Sequence, residues 1–364
     1  MQIPPPENLI IELPGRETGC PFACKHCIHL NVQPSSFPRL NPDEILKILK
    51  EGRILGIESL NIYPHYDEIS VPPYETHQYL KTGFELGYKV KTVSNGTNPE
   101  GIARILPYTY RLALSADSLD KETYGVLREE EKHDGLLETL RMLKSYRRKN
   151  KILLTGLVMV TKQTIDSIEA RVDQIVRLEV FDKIKIKLME MLPIGEAVNL
   201  SDQVFYSYSD FQRLEQVKLK YQNKVKISAT SWRIRPQGRR GCQLGQRYFV
   251  IGPRGQIAGC CILFYLNQTV GNLREYDTLT RVWTEGLDIY RKKENRPVVK
   301  TCQNCRLYTE DLCWGGCLGR TIIFGAEREI NRSCHIRNRG DSEALYRDYL
   351  KASGSGEVYF RRQW

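Results

Sequence analysis

The sequence predicts an α/β protein with a largely parallel sheet, followed by a smaller domain rich in cysteine. Through about the first 200 residues, short apolar runs alternate with longer segments whose apolar residues recur at helical spacing. This alternation is typical of β/α units joined by right-handed crossovers. After about residue 225 the alternation stops, and glycine and cysteine become frequent.

Six segments have the length and apolar pattern of sheet strands: NLIIEL (8–13), SLNIY (59–63), KVKTVSNGTN (89–98, ending in a turn), RLALSADS (111–118), ILLTGLVMV (152–160) and KIKIKLMEMLPIG (183–195). Helical patterns lie between them. The first helix opens with Asn41, a typical N-cap residue, and the second is closed by Gly87. Six such units form either an open sheet or a partial barrel, and in both folds the loops after the strands carry the functional residues.

The composition narrows the classes of function. The chain of 364 residues lacks the features of a signal peptide, and its longest apolar run, ILLTGLVMV, is too short to span a bilayer. We therefore expect a cytoplasmic protein with no membrane partner. The net charge of +11 would suit an anionic partner, but basic residues cluster only in RIRPQGRR (233–240), so nucleic-acid binding is not expected. Eleven cysteines in a reducing compartment indicate metal or redox chemistry rather than disulfides.

Three cysteines directly after the first strand, Cys20, Cys24 and Cys27, have the spacing C-x3-C-x2-C. Cysteine thiolates are the usual ligands of iron–sulfur clusters, and three of them leave one iron of a four-iron cluster open. The motif resembles that of the radical S-adenosylmethionine (SAM) superfamily, with His26 where the family usually has an aromatic residue. A zinc loop and three packing thiols are the alternatives.

The resemblance implies a partial (β/α)6 TIM-type barrel with a [4Fe–4S] cluster whose open iron binds SAM. Reductive cleavage of SAM would then give a 5′-deoxyadenosyl radical that abstracts a hydrogen atom from the substrate. The turns after the third, fourth and sixth strands match positions that contact SAM in the family: Ser94 and Asn95, Ser115 and Asp117, and Pro193 and Gly195.

One position departs from the family pattern. The family usually carries Gly-Gly-Glu after the second strand, where it binds the SAM amino group, and this chain has Pro64-His65-Tyr66 there. Backbone carbonyls, Asp67 and Glu68 are the candidates for that contact. The sequence assigns none of them.

Seven of the eight later cysteines follow a second pattern, C-x12-G-x4-C, then C-x2-C-x7-C-x3-C, then a last cysteine, with Gly255 as the glycine. This pattern resembles the SPASM domain, a C-terminal extension of certain radical SAM enzymes that holds two auxiliary [4Fe–4S] clusters. The family's middle spacing is x5, so two residues are inserted here. By position, the resemblance implies two ligand sets: Cys242, Cys260 and Cys317 for the first auxiliary cluster, and Cys302, Cys305, Cys313 and Cys334 for the second. A zinc ribbon is the alternative.

Together the two resemblances divide the chain into a barrel at 5–225, a linker at 226–241, a SPASM domain at 242–345 and a C-terminal tail at 346–364. They imply three [4Fe–4S] clusters and SAM as cofactors, with a reducing electron donor of the flavodoxin or ferredoxin type as a partner. The first auxiliary cluster then has three cysteines, and its fourth position is open, exchangeable or filled by another ligand.

Cys261 is the one cysteine that the implied cluster ligands leave over. In sulfatase-maturing relatives the matching position holds an aspartate that takes a proton from the substrate. Radical SAM epimerases instead use a cysteine to donate a hydrogen atom to a substrate radical. Three interpretations of Cys261 stay open: a hydrogen-atom donor, the fourth ligand of the first auxiliary cluster, or a buried thiol with no role in the reaction.

The resemblance implies an oxidoreductase or isomerase that modifies a ribosomally synthesised peptide by epimerisation, crosslinking or oxidation. The chain begins 19 residues before Cys20, so we expect any leader-peptide-binding domain to be a separate partner protein. A small-molecule substrate is the alternative, with the chain a dehydrogenase or epimerase of a carbohydrate or aminocyclitol. A non-catalytic iron–sulfur or zinc scaffold is the alternative from another class of function.

Overall fold

The computed structural model describes residues 3–13, 24–27, 37–64, 75–188, 208–229, 244–295, 302–303, 306–310 and 318. The contacts along the chain divide it into two compact units. The first unit is Met1–Thr230 with Arg247–Leu287, and the second is Ser231–Gln246 with Asp288–Trp364. In the described part of the chain, no helix is both long and apolar enough to cross a bilayer.

Within the described residues, one sheet of ten strands forms the centre of the first unit, in the order β10-β9-β8-β1-β2-β3-β4-β5-β6-β7. The strands are β1 Asn8–Glu12, β2 Ser59–Tyr63, β3 Lys89–Ser94, β4 Arg111–Ser115, β5 Leu153–Val160, β6 Lys183–Leu188, β7 Lys226–Ala229, β8 Tyr248–Ile251, β9 Gln256–Ala258 and β10 Gly271–Asn272. Every pairing from β8 through β1 to β7 is parallel, whereas β8–β9 and β9–β10 are antiparallel. All six predicted strands are confirmed, while residues 189–195 of the sixth predicted segment lie outside the described residues.

The described helices are α1 Pro42–Ile54, α2 Glu75–Glu85, α3 Pro99–Ile105, α4 Lys121–Leu127, α5 His133–Arg147, α6 Ile168–Arg177, α7 Tyr208–Tyr221, α8 Cys261–Tyr265, α9 Leu279–Arg281 and α10 Arg306–Thr309. Asn41 caps α1 as predicted, because its side chain accepts a hydrogen bond from Glu44 N and the Glu44 carboxylate accepts one from Asn41 N, both at 2.9 Å. Gly87 follows α2 with φ +81°, a conformation that favours glycine.

Buried apolar residues cover one face of the sheet along β2 and β4, and successive positions of β1 and β8 are buried. Along β2 and β4, buried residues alternate with less buried ones, as expected for strands with one face covered. The fully buried strand residues include Leu9, Ile11, Leu60, Ile62, Leu112 and Leu114. Glu12 and Tyr63 follow Ile11 and Ile62 in their strands and are paired in register, so they share the other face.

The C-terminal part of the sheet extends beyond the predicted domain limits. Strand β7 lies inside the range 226–241 that the sequence assigns to a linker, and its KISA alternates as a strand does. Strands β8 to β10 lie inside the range expected for the SPASM domain, yet β8 pairs parallel with β1 and the segment belongs to the first compact unit. The sheet therefore crosses both predicted boundaries.

Gly255, the glycine of the second cysteine pattern, forms the turn between β8 and β9. It has φ +83°, and a Cβ atom there would lie 2.9 Å from Asn272 Oδ1. Gly255 N donates to Gly252 O at 3.0 Å, which closes the turn. The motif needs glycine here because both the backbone conformation and the close approach of Asn272 exclude a side chain.

The start of α5 packs directly against the turn after β3. A Cβ atom on Gly135 would lie 2.2 Å from Thr97 O, a backbone atom that cannot move aside as a flexible side chain can. We expect Gly135→Ala to lower the free energy of unfolding by about 2 kcal/mol through overpacking. Urea denaturation of the anaerobic protein measures this.

The matched control is Gly125→Ala in α4. There the nearest atom to the new methyl group is Glu130 Cβ at 3.3 Å, on an adaptable side chain, and φ is not positive. Alanine favours helix over glycine, so this variant should stay within about 1 kcal/mol of the original protein. Equal losses in both variants would contradict the packing argument.

Candidate active site

Polar side chains gather where the first strands of the sheet end. In a parallel sheet the carboxyl ends share one edge, so loops that are distant in sequence meet there. Residues 24–27 of the first cysteine motif lie at this edge beside the end of α4. Lys25 N donates to Leu127 O at 3.2 Å, and Nδ1 of His26 lies 3.2 Å from the same oxygen. Cys27 N donates to Cys24 O at 3.0 Å, which bends the segment into a tight turn.

Ser94 and Asn95 shape the turn after β3. Ser94 Oγ accepts from Gly96 N at 3.0 Å, while Asn95 Oδ1 accepts from Thr97 N at 3.0 Å and from Thr97 Oγ1 at 2.9 Å. Gly96 has φ +75°, which suits glycine. Both predicted residues therefore hold the backbone of this turn, and their contact with SAM stays a prediction.

Asp117, two residues beyond β4, is a buried anion with both carboxylate oxygens engaged. It is 1% exposed. Oδ1 accepts from Met159 N at 2.6 Å, and Oδ2 accepts from Nε of Arg128. Although burial alone raises the pKa of the Asp117 carboxyl, the charge of Arg128 outweighs it and holds that pKa below its ordinary value. Asp117 is therefore ionised.

Arg128 joins Asp117 to the first cysteine motif. Its Nη1 donates to Cys24 Sγ at 3.3 Å, and its Nη2 lies 3.5 Å from Nε2 of His26. Because a guanidinium only donates and the Leu127 carbonyl only accepts, these contacts favour neutral His26 with its proton on Nδ1. The ion pair therefore places a fixed positive charge beside a predicted cluster ligand.

Arg171 of α6 binds the backbone next to this ion pair. Nη1 donates to Asp117 O at 2.9 Å and to Met159 O at 3.0 Å, and Nη2 donates to Thr164 O at 3.1 Å. The ends of β4 and β5 are thus tied to one helix by a single side chain. A small pocket opens beside this network, lined by Cys24, Asn95, Thr97, Tyr124, Arg128, Glu129 and Lys132.

The two consecutive cysteines Cys260 and Cys261 lie at the start of α8. Cys260 is the N-cap residue, and its Sγ accepts from Leu263 N at 3.4 Å. Cys261 begins the helix and is partly exposed, and its thiol contributes to the pKa of the Glu12 carboxyl. The two thiols therefore have different roles in the fold, because Cys260 caps α8 and Cys261 influences the pKa of Glu12 at the end of β1.

Glu12, the last residue of β1, is fully buried. Tyr265 donates from its hydroxyl to Glu12 Oε1 at 2.9 Å, and among the described residues Oε2 has no hydrogen-bond partner. Burial raises the pKa of Glu12 to about 8, against the smaller lowering effect of the hydrogen bonds from Tyr265 and Cys261. Glu12 is therefore mostly protonated at neutral pH. Tyr63 stands beside it in register, with a pKa raised by burial and by the charges of Cys261 and Glu12.

Two family models match the chain: the radical SAM superfamily over residues 18–175, and the SPASM iron–sulfur cluster-binding domain over residues 242–306. The chain is a radical SAM enzyme with a SPASM domain. This confirms the family predicted from the cysteine motifs, and with it iron–sulfur clusters and SAM as cofactors. Among curated proteins, none matches the chain.

Solved structures share the fold of this enzyme at low sequence identity. Streptococcus suis SuiB bound to S-adenosylmethionine has a TM-score of 0.69 and 19% identity, over 91% of this chain and 78% of that one. Streptococcus suis SuiB bound to precursor peptide SuiA has a TM-score of 0.68 and 18% sequence identity, over 91% of this chain and 76% of that one. AnSMEcpe with bound AdoMet and Kp18Cys peptide has a TM-score of 0.64 and 16% sequence identity, over 96% of this chain and 100% of that one. The predicted partial TIM-type barrel followed by a SPASM domain is thereby confirmed.

The structure describes four of the ten predicted cluster ligands of this radical SAM enzyme, Cys24, Cys27, Cys260 and Cys302. The other six predicted ligands lie outside the described residues: Cys20, Cys242, Cys305, Cys313, Cys317 and Cys334. The predicted SAM contacts Pro193 and Gly195 also lie outside them. So do the residues considered for the contact with the SAM amino group, His65, Tyr66, Asp67 and Glu68. Within the described residues, no three potential metal ligands come together. The ligand sets therefore stay predictions.

The described thiols suit iron–sulfur ligation. Cys24 Sγ receives a hydrogen bond from the guanidinium of Arg128, and Cys260 Sγ receives one from a backbone amide. Donors of this kind stabilise thiolate ligands and tune the potential of a cluster. The chemistry of the donors thus fits the cofactors that the family implies.

Three residues of the site escape the sequence motifs: Arg128, Glu12 and Tyr265. Arg128 follows a helix in an acidic stretch, LREEEK, and nothing local distinguishes it from a surface arginine. Glu12 gives a weak signal, because a carboxylate follows three apolar residues of the strand. Tyr265 pairs with Glu12 across more than 250 positions, a contact that only the fold reveals.

The ion pair of Asp117 and Arg128 should stabilise the fold strongly, because removing one partner leaves the other charge buried. We expect Asp117→Asn to lower the free energy of unfolding by about 3 kcal/mol, measured by urea denaturation under anaerobic conditions. Glu100→Gln is the matched control, since Glu100 pairs with Arg104 on an exposed helix face and should change stability by less than about 0.5 kcal/mol. A loss for Asp117→Asn as small as that of the control would contradict the role of the pair.

Proposed function

We propose that this radical SAM/SPASM enzyme modifies a residue of a ribosomally synthesised peptide, with epimerisation as the reaction. SAM bound at a [4Fe–4S] cluster on Cys20, Cys24 and Cys27 would supply a 5′-deoxyadenosyl radical that takes a hydrogen atom from the substrate. Two neighbours of the same fold support a peptide substrate, because SuiB is bound to a precursor peptide and anSMEcpe to a peptide in their structures. The observation that carries the proposal is the thiol of Cys261 beside the end of β1.

The residues around Arg128 are suited to receive SAM. The small pocket beside Cys24 is lined by two cationic side chains, Arg128 and Lys132, and by the acidic Glu129, and the SAM carboxylate would need cationic partners. Asp117 has both oxygens occupied by Arg128 and Met159, so it would act on SAM through the position of Arg128. Asn95 and Thr97 give the pocket polar walls.

Cys261 would complete the reaction as a hydrogen-atom donor. Its S–H bond breaks as a C–H bond forms on the substrate radical, and the unpaired electron stays on sulfur. One electron and one proton then restore the thiol, with the electron from a flavodoxin or ferredoxin type of donor. Partial exposure supports this role, because a donor must reach the substrate.

The wider setting of the enzyme follows from the same proposal. Three [4Fe–4S] clusters would be present, one on the first cysteine motif and two on the SPASM cysteines. The enzyme would work in the cytoplasm, where reduced electron carriers are available.

Replacing Cys20, Cys24 and Cys27 together by alanine tests the cluster assignment. The anaerobically reconstituted enzyme should contain about twelve irons, and the triple variant about eight, because one four-iron cluster is lost. The variant should form no 5′-deoxyadenosine from SAM and dithionite. Retained SAM cleavage, or zinc in place of iron in the wild-type protein, would contradict the assignment.

The variant Cys261→Ala tests the proposed reaction. It should still form 5′-deoxyadenosine, because the cluster that binds SAM is intact, but the substrate radical should be trapped or diverted rather than epimerised. Mass spectrometry of the peptide after turnover in deuterated water measures this, since epimerisation through an exchangeable thiol adds one deuterium. Cys261→Ser is the matched control for side-chain shape, and it should fail in the same way. Normal product from either variant would dismiss the donor role.

A further inference from the structure

One carboxylate of the acidic stretch LREEEK (127–132) is turned away from water. Of its three consecutive glutamates, Glu130 and Glu131 are exposed, whereas Glu129 is half-buried. The Oε2 atom of Glu129 is shielded from solvent, and among the described residues it has no hydrogen-bond partner. Leaving a shielded carboxylate oxygen without a donor costs free energy. Such an atom therefore indicates a place where a ligand can supply the missing donor.

The turn after α4 places Glu129 beside the first cysteine motif. Arg128 N donates to Tyr124 O at 3.0 Å at the end of the helix. Glu129, with φ −79° and ψ 118°, then leads into a single 3-10 turn, which Lys132 N closes by donating to Glu129 O at 3.1 Å. The side chains of Glu129 and Lys132 both line the small pocket that also contains Cys24.

This pocket presents charges of both signs. Arg128 and Lys132 are cationic, and Glu129 is the acidic residue of the lining. The amino acid part of SAM has groups that match both, because it carries a carboxylate and an amino group whose N–H donors need acceptors once they leave water. A simple anion would fit less well, since it would meet the like charge of Glu129.

We propose that Glu129 binds the amino group of SAM through Oε2, in place of the Gly-Gly-Glu segment that this chain lacks after β2. The proposal rests on the SAM site proposed above, at the cluster of Cys20, Cys24 and Cys27. Glu129 follows β4 in the chain rather than β2, and the pocket brings it beside Cys24. Its part is to accept a hydrogen bond and so to fix the orientation of SAM.

One short segment would then hold both polar groups of the SAM amino acid part. Arg128 and Glu129 are consecutive residues, so the partner of the carboxylate and the partner of the amino group keep a fixed spacing. Asp117 holds Arg128 by accepting from its Nε, and the hydrogen bond that closes the 3-10 turn holds the backbone of Glu129. Both side chains are therefore positioned before the ligand binds, which lowers the entropic cost of binding.

The affinity of the anaerobic, cluster-loaded enzyme for SAM tests the proposal without turnover, by isothermal titration calorimetry. Glu129→Gln keeps the size of the side chain but removes its charge, and it should weaken SAM binding about tenfold, the factor expected for losing a hydrogen bond to a charged group. Decarboxylated SAM keeps the amino group and should be weakened by a similar factor. A SAM analogue with hydrogen in place of the amino group should bind the variant and the wild type within about twofold of each other.

Two further variants serve as controls. Glu130→Gln makes the same change at the next residue, whose side chain is exposed, and should leave all three affinities unchanged. The double variant Asp67→Asn, Glu68→Gln removes the other carboxylates considered for this contact, and its affinity for SAM should stay within about twofold of the wild type. Thermal unfolding of each variant detects a general loss of fold, in which all three ligands would weaken together.

Wild-type affinity for SAM in Glu129→Gln would overturn the proposal. Equal weakening of the analogue without the amino group would overturn it too, because Glu129 would then act through the fold of the pocket. Weakening confined to the ligands with an amino group, but seen in the Asp67 and Glu68 variant instead, would assign the contact elsewhere. The proposed function fails by different results, since normal product from Cys261→Ala, or SAM cleavage without the first cysteine motif, would contradict it whatever these affinities are.

Discussion

The buried ion pair of Asp117 and Arg128 is the interaction on which the candidate site depends. A carboxylate excluded from water is stable only with a close counter-charge and further hydrogen bonds, and Asp117 obtains these from Arg128 and from the backbone of β5. The guanidinium has donors left over, and it uses them on the first cysteine motif. The same arginine that neutralises Asp117 at the end of β4 thus also holds the loop that would bind the cluster.

Much of this architecture follows from the sequence. The six strands, the Asn41 cap and the glycine after α2 are local features, each set by a few neighbouring residues. The cysteine spacings reveal the family because ligands of one cluster must come from a short segment or a fixed pattern. Local rules and motif spacing together place the cluster loop and the turns after β3 and β4 at the same edge.

The rest depends on contacts between distant segments. Arg128 matters because α4 ends beside residues 24–27, and no pattern in LREEEK encodes that. Glu12 meets Tyr265 only because β8 pairs with β1 and brings α8 to the end of that strand. Strand β7 is short and polar at alternate positions, so the composition of the following segment obscures it. The contacts of Arg128 and Glu12 are thus missed because they are long-range, and β7 is missed because its local pattern is weak.

The pairing of β8 with β1 also means that part of the SPASM match, residues 247–287, lies within the first compact unit. Gly255 and its hairpin lie in the same sheet as the strand that precedes the first cysteine motif. A fragment that ends near residue 230 would lack β8, so the backbone amides and carbonyls of β1 that pair with β8 would be unpaired. Strand β1 would then be an exposed edge strand. The limits of the two family matches therefore differ from the limits of the compact units, because the sheet of the first unit includes strands from the segment that the SPASM model matches.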